Sequence, residues 1–367
     1  MGSKGPGGDS LRFAALGVAL RPESATDQYV LCACLLDAGR ADEAVAAGRE
    51  SVRLSPEDAF AHNYYGRALL QKGELDGAVA EFRKSVSLKP TDVSALEALG
   101  WALMEKQDVD GALAVTREAI RLNPTYGRLH VNLGAALDQK GAHAAAIAAY
   151  REAVRLRPGD AQARNTLGIA LARQGKLDDA IAEWREAAKR APAQPDAYLN
   201  MGSALGMQKK WAEAVASYRE ALSRKPDLAP AHNNLAWLFA TCPEISMRDA
   251  RQAVFHGGRA VELAPGDAGF WNTLGMARYR DGDWKGAITA VKKSMEIAKD
   301  SDASDCFILA MAHSQSGDAR QAREWFDKAV AWMDNNKPKD EELLRSRAEA
   351  AELLGLGKTG GEPKEKK

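Results

Sequence analysis

Residues 127–160 read GRLHVNLGAALDQKGAHAAAIAAYREAVRLRPGD. Within this stretch, Gly134, Ala146 and Pro158 each recur in the sequence at a spacing equal to the length of the stretch, both before it and after it. The three series with this common spacing comprise Ala44, Ala78, Ala112, Ala146, Ala180 and Ala214; Pro22, Pro56, Pro90, Pro124, Pro158, Pro192 and Pro226; and Gly66, Gly100, Gly134, Gly168 and Gly202. Three series with one period indicate tandem copies of one structural element.

Each copy is predicted to be a pair of antiparallel helices. With Ala25 as position 1, small residues occupy positions 8, 20 and 27, where they allow two helices to approach closely. Glycine near position 15 suits the left-handed residue that ends a first helix, and proline at position 32 ends the second helix. One hairpin cannot bury its apolar face alone, so we expect the copies to stack.

The pattern divides most of the chain into nine repeats. The seventh repeat carries five extra residues, which we place between its two helices at Thr241–Ser246. The predicted repeats are 25–58, 59–92, 93–126, 127–160, 161–194, 195–228, 229–267, 268–302 and 303–336. The predicted flanks are a disordered N-terminus at 1–10, a half-repeat helix at 11–24, a capping helix at 340–354 and a disordered tail at 355–367.

The helices predicted at the two ends of the repeat array differ in whether they have a partner helix to pack against. The helix at 11–24 is in phase with a second helix of the repeat and lacks a first-helix partner. One hypothesis is that the chain is the downstream part of a longer protein, and the other is that residues 1–10 form an atypical cap. In the capping helix, Asp340 is the expected N-cap. The expected apolar stripe is Leu344, Ala348, Ala351 and Leu354, with Arg345, Glu349 and Glu352 facing away.

The period and its residue types resemble the tetratricopeptide repeat over residues 11–336. The resemblance implies an all-α, right-handed α-solenoid of nine helix-turn-helix repeats with the half-repeat and the capping helix at its ends. It also implies a protein–protein interaction scaffold that holds a partner protein or an extended peptide on its concave surface.

Composition argues against several other functions. Lys plus Arg and Asp plus Glu both number 50, so the chain has no basic excess for nucleic acid, and RNA binding is kept only as a minor alternative. No apolar stretch approaches the roughly 20 residues of a membrane helix, and we expect a cytoplasmic protein. The four cysteines fit free thiols, and His62, His130 and His232 at position 4 fit packing. No cofactor, metal or catalytic residue is predicted, so we expect no enzymatic activity.

Candidate binding residues lie on the first helices, at positions 5, 6 and 9. The asparagines can both donate and accept hydrogen bonds with a peptide backbone, and the large side chains can serve as anchors. The candidates are Asn63, Arg67, Trp101, Asn132, Asn165, Asn200, Asn233, Trp237, Asn272 and Met276. The alternative is that the asparagines stabilise neighbouring helices and the tryptophans pack between repeats.

A second resemblance covers residues 229–356. The runs LAWLFATCP at 235–243, DAGFWNTLG at 267–275, AMAH at 310–313 and NKPKDEEL at 336–343 are similar to the repeat-containing tails of bacterial serine/threonine protein kinases. This resemblance implies a signalling setting. It also implies an alternative function, a regulatory module that docks a serine/threonine kinase domain in cis or in trans.

Overall fold

The structure of the protein, a computed structural model, describes residues 6–356, with side chains from Asp9 onward. All regular secondary structure in this range is helical, which confirms the predicted all-α repeat fold. The chain divides into an N-terminal unit that ends at Gly175 and a C-terminal unit that begins at Lys176. This boundary falls inside the predicted repeat 161–194.

The N-terminal unit consists of ten helices: α1 (Pro6–Leu20), α2 (Ala25–Asp37), α3 (Ala41–Leu54), α4 (Ala59–Lys72), α5 (Leu75–Leu88), α6 (Val93–Glu105), α7 (Val109–Leu122), α8 (Gly127–Gln139), α9 (His143–Leu156) and α10 (Ala161–Arg173). Consecutive helices from α1 to α10 pack against one another. In addition α2 contacts α4, α4 contacts α6, and α6 contacts α8, so the first helices of successive repeats form one layer.

The C-terminal unit consists of α11 (Leu177–Arg190), α12 (Asp196–Met207), α13 (Trp211–Arg224), α14 (Ala229–Thr241), a 3-10 turn (Ile245–Met247), α15 (Ala250–Leu263), α16 (Ala268–Arg280), α17 (Trp284–Ala298), α18 (Ala303–Gln315), α19 (Ala319–Asn336) and α20 (Glu341–Leu353). Here too the first helices α12, α14, α16 and α18 contact one another in sequence. The 3-10 turn overlaps the end of the insertion predicted at Thr241–Ser246.

Close helix packing explains the glycines at position 8. A Cβ atom on Gly134 would lie 2.5 Å from Tyr150 Cε1, and one on Gly202 would lie 2.6 Å from Tyr218 Cε1. The aromatic ring at position 24 therefore rests directly on the backbone of the first helix. A larger residue at position 8 would push the two helices of the hairpin apart.

In every repeat except 229–267, the turn between the two helices has a left-handed residue at position 15. Gly73, for example, has φ of 87° and ends α4. Two repeats place a residue other than glycine there, Gln107 with φ of 65° and Lys209 with φ of 61°. The turn geometry therefore persists where glycine does not, at a modest cost in backbone strain.

Aspartates at the last position of a repeat cap the next first helix. Asp58 accepts from the Phe60 amide at 2.9 Å, and Asp160 accepts from the Ala163 amide at 3.0 Å. Such caps contribute about 1 kcal/mol each. They also fix where each first helix begins, and hence which face it presents.

The N-terminal flank differs from the prediction. Helix α1 begins at Pro6, so residues 6–10 are helical and the prediction of disorder is wrong for them. Proline suits a first helical position because its missing amide hydrogen has no partner to lose there. Residues 1–5 and 357–367, where disorder was also predicted, lie outside the described residues. No helix within residues 6–356 combines the length and apolar character that crossing a bilayer requires.

Candidate functional site

A groove runs across the first helices of the N-terminal unit. Its central cavity, of about 710 Å³, lies among α4, α6 and α8. The lining residues are Arg67, Leu70, Phe82, Val93, Ser94, Glu97, Ala98, Trp101, Asn123, Tyr126, Arg128 and Asn132. The cavity brings together three of the predicted binding residues, Arg67, Trp101 and Asn132.

Two smaller cavities extend this groove in both directions. One of about 430 Å³ shares Arg67 and Leu70 and reaches Leu36 on α2. The other, of about 270 Å³, shares Trp101 and Asn132 and reaches Gln139 at the end of α8. We call the three cavities together the first groove. It follows the layer of first helices from α2 to α8.

Trp101 is the main apolar surface of the first groove. Its side chain is 52% exposed, although a tryptophan ring in a folded protein is normally buried over most of its area. It lies between the central cavity and the cavity toward α8, so both cavities contact it. The alternative expectation, that the tryptophans pack between repeats, does not describe Trp101.

Arg67 is held in place by its neighbours. Its Nε donates to Asn63 Oδ1 at 3.1 Å, and its Nη2 donates to Ser94 Oγ at 2.7 Å. The guanidinium also lies 5.7 Å from the centre of the Tyr64 ring. Asn63 is buried, so it orients Arg67 and does not itself face the groove; the expectation for Asn63 as a ligand contact is corrected.

A charged cluster on the groove wall was not predicted from the sequence. Tyr126 donates to Glu97 Oε2 at 3.1 Å, and Arg128 Nε lies 2.9 Å from Glu97 Oε1. Burial and the Glu97 carboxylate raise the pKa of Tyr126, which keeps the phenol protonated. Glu97 occupies position 5, at which several other repeats carry an asparagine that was predicted to bind a ligand. Its carboxylate is neutralised within the wall, and this leaves Arg67 as a cation on the α4 side.

Two further asparagines do not line the first groove. Asn165, on α10 of the N-terminal unit, is buried, and Asn200, on α12 of the C-terminal unit, is half-buried. Both already interact with other groups of the chain. For these two residues the structure favours the packing interpretation.

In the C-terminal unit the corresponding positions are covered by α20. Burial raises the pKa of Glu342 on α20, and the neighbouring Trp237 side chain on α14 opposes this shift. Arg280 on α16 pairs with Glu349, with Nη2 2.7 Å from Oε2, and Tyr279 donates to the same carboxylate at 3.4 Å. Met276, on the same helix as Tyr279, is also buried. Trp237 and Met276 therefore do not line an open groove as predicted.

The two remaining predicted asparagines of this unit bond to neighbouring side chains. Asn272 Nδ2 donates to Asp305 Oδ1 at 2.8 Å and so links α16 to α18. Burial raises the pKa of Asp305, and the bond from Asn272 opposes this shift. Asn233 Nδ2 donates to the adjacent Asn234 at 3.4 Å. The expectation that Asn272 contacts a ligand is corrected, because its amide is used between helices.

The face by which α20 docks also differs from the prediction. Leu343 and Ala350 are its buried residues, whereas Leu344 is 44% exposed. Glu349, expected to face away, makes the ion pair with Arg280. The capping aspartate is where it was expected, since Asp340 accepts from the amides of Glu342 and Leu343 at 3.0 Å.

A buried histidine pair lies between α14 and α15. His232 Nε2 donates to the Pro226 carbonyl at 2.9 Å, so its Nδ1 accepts from His256 Nδ1, 2.8 Å away, when both rings are neutral. Burial and the nearby His232 lower the pKa of His256 to about 4. Within residues 6–356 no three His, Cys, Asp or Glu side chains are grouped so that they could hold a metal ion.

Comparison with protein families identifies the family to which the chain belongs. The tetratricopeptide repeat profile matches residues 34–93, 97–161 and 165–230, and a second profile of this repeat matches residues 306–335. Since the first profile alone covers more than half of the sequence, the chain belongs to the tetratricopeptide repeat family. Stacks of such repeats present extended binding surfaces, and the fold is that of a protein–protein interaction scaffold.

Several solved structures are similar to parts of the chain. YrrB, described as a TPR protein with an unusual peptide-binding site, is 25% identical over 50% of this chain and 95% of its own, with a TM-score of 0.41. MamA is 27% identical over 45% of this chain and 96% of its own, with a TM-score of 0.42. Pseudomonas aeruginosa pilF is 20% identical over 58% and 94%, with a TM-score of 0.49. No curated protein sequence matches the chain.

Proposed function

We propose that the chain is an interaction scaffold that holds an extended segment of a partner protein in the first groove. The observation that carries this proposal is the meeting of Arg67, Trp101 and Asn132 on one open cavity. These residues come from three successive first helices, and together they supply a cation, an apolar surface and an amide.

The three side chains suit different parts of a peptide. Trp101 offers a half-exposed ring to a large apolar side chain. The Asn132 amide can donate to a backbone carbonyl and accept from a backbone amide. Arg67, already oriented by Asn63 and Ser94, can bind a carboxylate with little further loss of side-chain entropy.

The length of the groove sets the length of the ligand. Neighbouring packed helices lie about 10 Å apart, so the span from α2 to α8 is about 30 Å. An extended chain advances about 3.3 Å per residue, so roughly nine residues fill it. We therefore expect a segment of about nine residues, with an acidic residue near Arg67 and a large apolar residue near Trp101.

The proposal is tested by selecting nine-residue peptides from a random library on the immobilised full chain. Selected peptides should share an apolar residue and an acidic residue at a fixed spacing. Substitution of Arg67 or Asn132 by alanine should weaken their binding. Peptides that bind these variants and the unsubstituted chain equally well would show that they use another surface, and would count against the first groove.

The kinase-docking alternative rests on the sequence resemblance at residues 229–356. It predicts a serine/threonine kinase reading frame fused or adjacent to this one, and a complex between the purified kinase domain and this chain. RNA binding has only the helical-repeat architecture in its favour. It predicts a gel shift that weakens as salt concentration rises.

A further inference from the structure

Helix α20 lies on the first-helix layer of the C-terminal unit. Along its length it contacts α14 through Glu342 and Trp237, and then α16 through Glu349 and Arg280. It ends at α18, where Ser314 donates to the Leu353 carbonyl at 3.3 Å. We call the surface under it, formed by Trp237, Tyr279, Arg280 and Ser314, the second groove.

The second groove uses the repeat positions that are open in the N-terminal unit. Trp237 stands at position 9, as Arg67 and Trp101 do, and Tyr279 stands at position 12, as Leu70 does. In the first groove these positions border a cavity. In the second groove a helix of the same chain occupies them. The helix therefore takes the place of a ligand as well as covering an end of the repeat array.

The contacts of α20 combine helix packing with polar bonds, since it packs mainly against α18 and less extensively against α19. Only Leu343 and Ala350 are buried on it, whereas α19, the last helix of the repeats, buries Ala322, Phe326, Ala329 and Met333. The main ion pair is partly open to solvent, since Arg280 is 19% and Glu349 is 31% exposed. The pair is bidentate, and a carboxylate at the same place on another helix can form it with the same geometry. Another helix with the same contacts can therefore compete with α20.

The donors of the second groove define what such a helix must carry. The Tyr279 hydroxyl and the Arg280 guanidinium donate to the Glu349 carboxylate, and the Trp237 indole, a donor-only group, neighbours the Glu342 carboxylate. The two carboxylates, Glu342 and Glu349, are seven residues apart, which is two turns or about 10 Å along one face. An amphipathic helix with this spacing of acids reproduces both contacts.

We propose that the second groove is a helix-binding site, occupied in cis by α20, which an acidic amphipathic helix of a partner protein displaces. The partner helix carries two carboxylates seven residues apart, with small or aliphatic residues between them on the docking face. The first groove, which takes an extended segment, is a separate site, so either proposal can fail without the other.

The test uses the full chain and a fluorescent peptide of the sequence of residues 339–356, KDEELLRSRAEAAELLGL. The variant Glu349→Arg places a second cation against Arg280 and should release α20. The matched control is Glu352→Arg, which makes the same charge change on an exposed face of the same helix. Fluorescence anisotropy should show at least tenfold tighter peptide binding to Glu349→Arg than to the unsubstituted chain or to Glu352→Arg.

A charge exchange makes the site assignment specific. A peptide with arginine in place of Glu349 should bind the chain variant Arg280→Glu at least tenfold more tightly than it binds Glu349→Arg. Equal binding of the original peptide to Glu349→Arg and Glu352→Arg would overturn the proposal. So would hydrogen exchange in which α18 and α19 unfold together with α20, or failure of Glu349→Arg to fold, because α20 would then be a structural cap that no ligand can replace.

Discussion

Replacing Trp101 by alanine removes the apolar surface on which the first groove depends. A tryptophan side chain has about 200 Å² of surface, and Trp101 exposes 52% of its own. A ligand that covers this part buries about 100 Å², which at about 25 cal/mol per Å² is worth about 2.5 kcal/mol. We therefore expect the affinity for a groove-selected peptide to fall roughly 70-fold.

The assay is isothermal titration of a selected nine-residue peptide into the unsubstituted chain and into Trp101→Ala. The buried half of the ring also supports the fold, so the variant should lose about 2 kcal/mol of stability and must be measured well below its Tm. The matched control is Phe255→Ala, since Phe255 is 59% exposed on the second helix α15. An affinity change below threefold for Trp101→Ala, or an equal loss for Phe255→Ala, would show that the peptide does not bind on the Trp101 ring.

Three further predictions concern stability, measured by urea unfolding. Burial holds the pKa of His256 at about 4 in the folded chain, below its ordinary 6.5, so its contribution is intact above pH 6.5 and is lost as pH falls toward 4. Between pH 7.5 and pH 5 the chain should lose about 2 kcal/mol more than His256→Gln loses, and parallel pH profiles would contradict this. A Cβ on Gly275 would overlap Val291, whereas one on Gly258 meets nothing within 4 Å. Gly275→Ala should therefore lower the free energy of unfolding by about 2 kcal/mol, and Gly258→Ala should raise it by about 0.5–1 kcal/mol. Effects of the same sign would show that helix propensity dominates. Burial raises the pKa of Asp305, so its carboxylate destabilises the fold once it is ionised. At pH 7 the variant Asp305→Asn should be at least as stable as the parent chain, and this difference should vanish in acid. A variant that loses stability relative to the parent chain as the pH rises to 7 would contradict this.

The repeat fold was predictable because packing imposes it separately in each repeat. Gly134 is required where the ring of Tyr150 rests on the backbone, and glycine is favoured at Gly73, where φ is positive. Each such constraint depends on residues within one hairpin. The constant period of the sequence therefore reveals the constraint without knowledge of any distant contact.

The binding residues were predictable only in part, because their burial depends on other elements. Trp101 and Trp237 occupy the same repeat position, yet Trp101 is half-exposed and Trp237 neighbours Glu342 of α20. The docking face of α20 could not be chosen from its sequence, since Leu343 and Leu344 are adjacent and equally apolar. A shift of one residue turns a helix by about 100°, and Glu349 then moves from the solvent to Arg280.

Asparagine at position 5 or 6 is likewise ambiguous. Asn132 borders the open cavity, whereas Asn272 bonds to Asp305 on the following first helix. The amide suits both roles, because it donates and accepts equally well toward a peptide or a neighbouring side chain. The role of each asparagine depends on the residue that faces it in the next repeat, and a search for asparagines alone does not consider that residue.

Hydrogen exchange with mass spectrometry on the full chain, with and without a selected nine-residue peptide, shows which helices the ligand covers. We expect the peptide to slow exchange in the first helices α4, α6 and α8 and to leave the second helices α5, α7 and α9 unchanged. Slower exchange confined to the second helices, or no change in residues 59–139, would contradict the assignment of the first groove as the binding site.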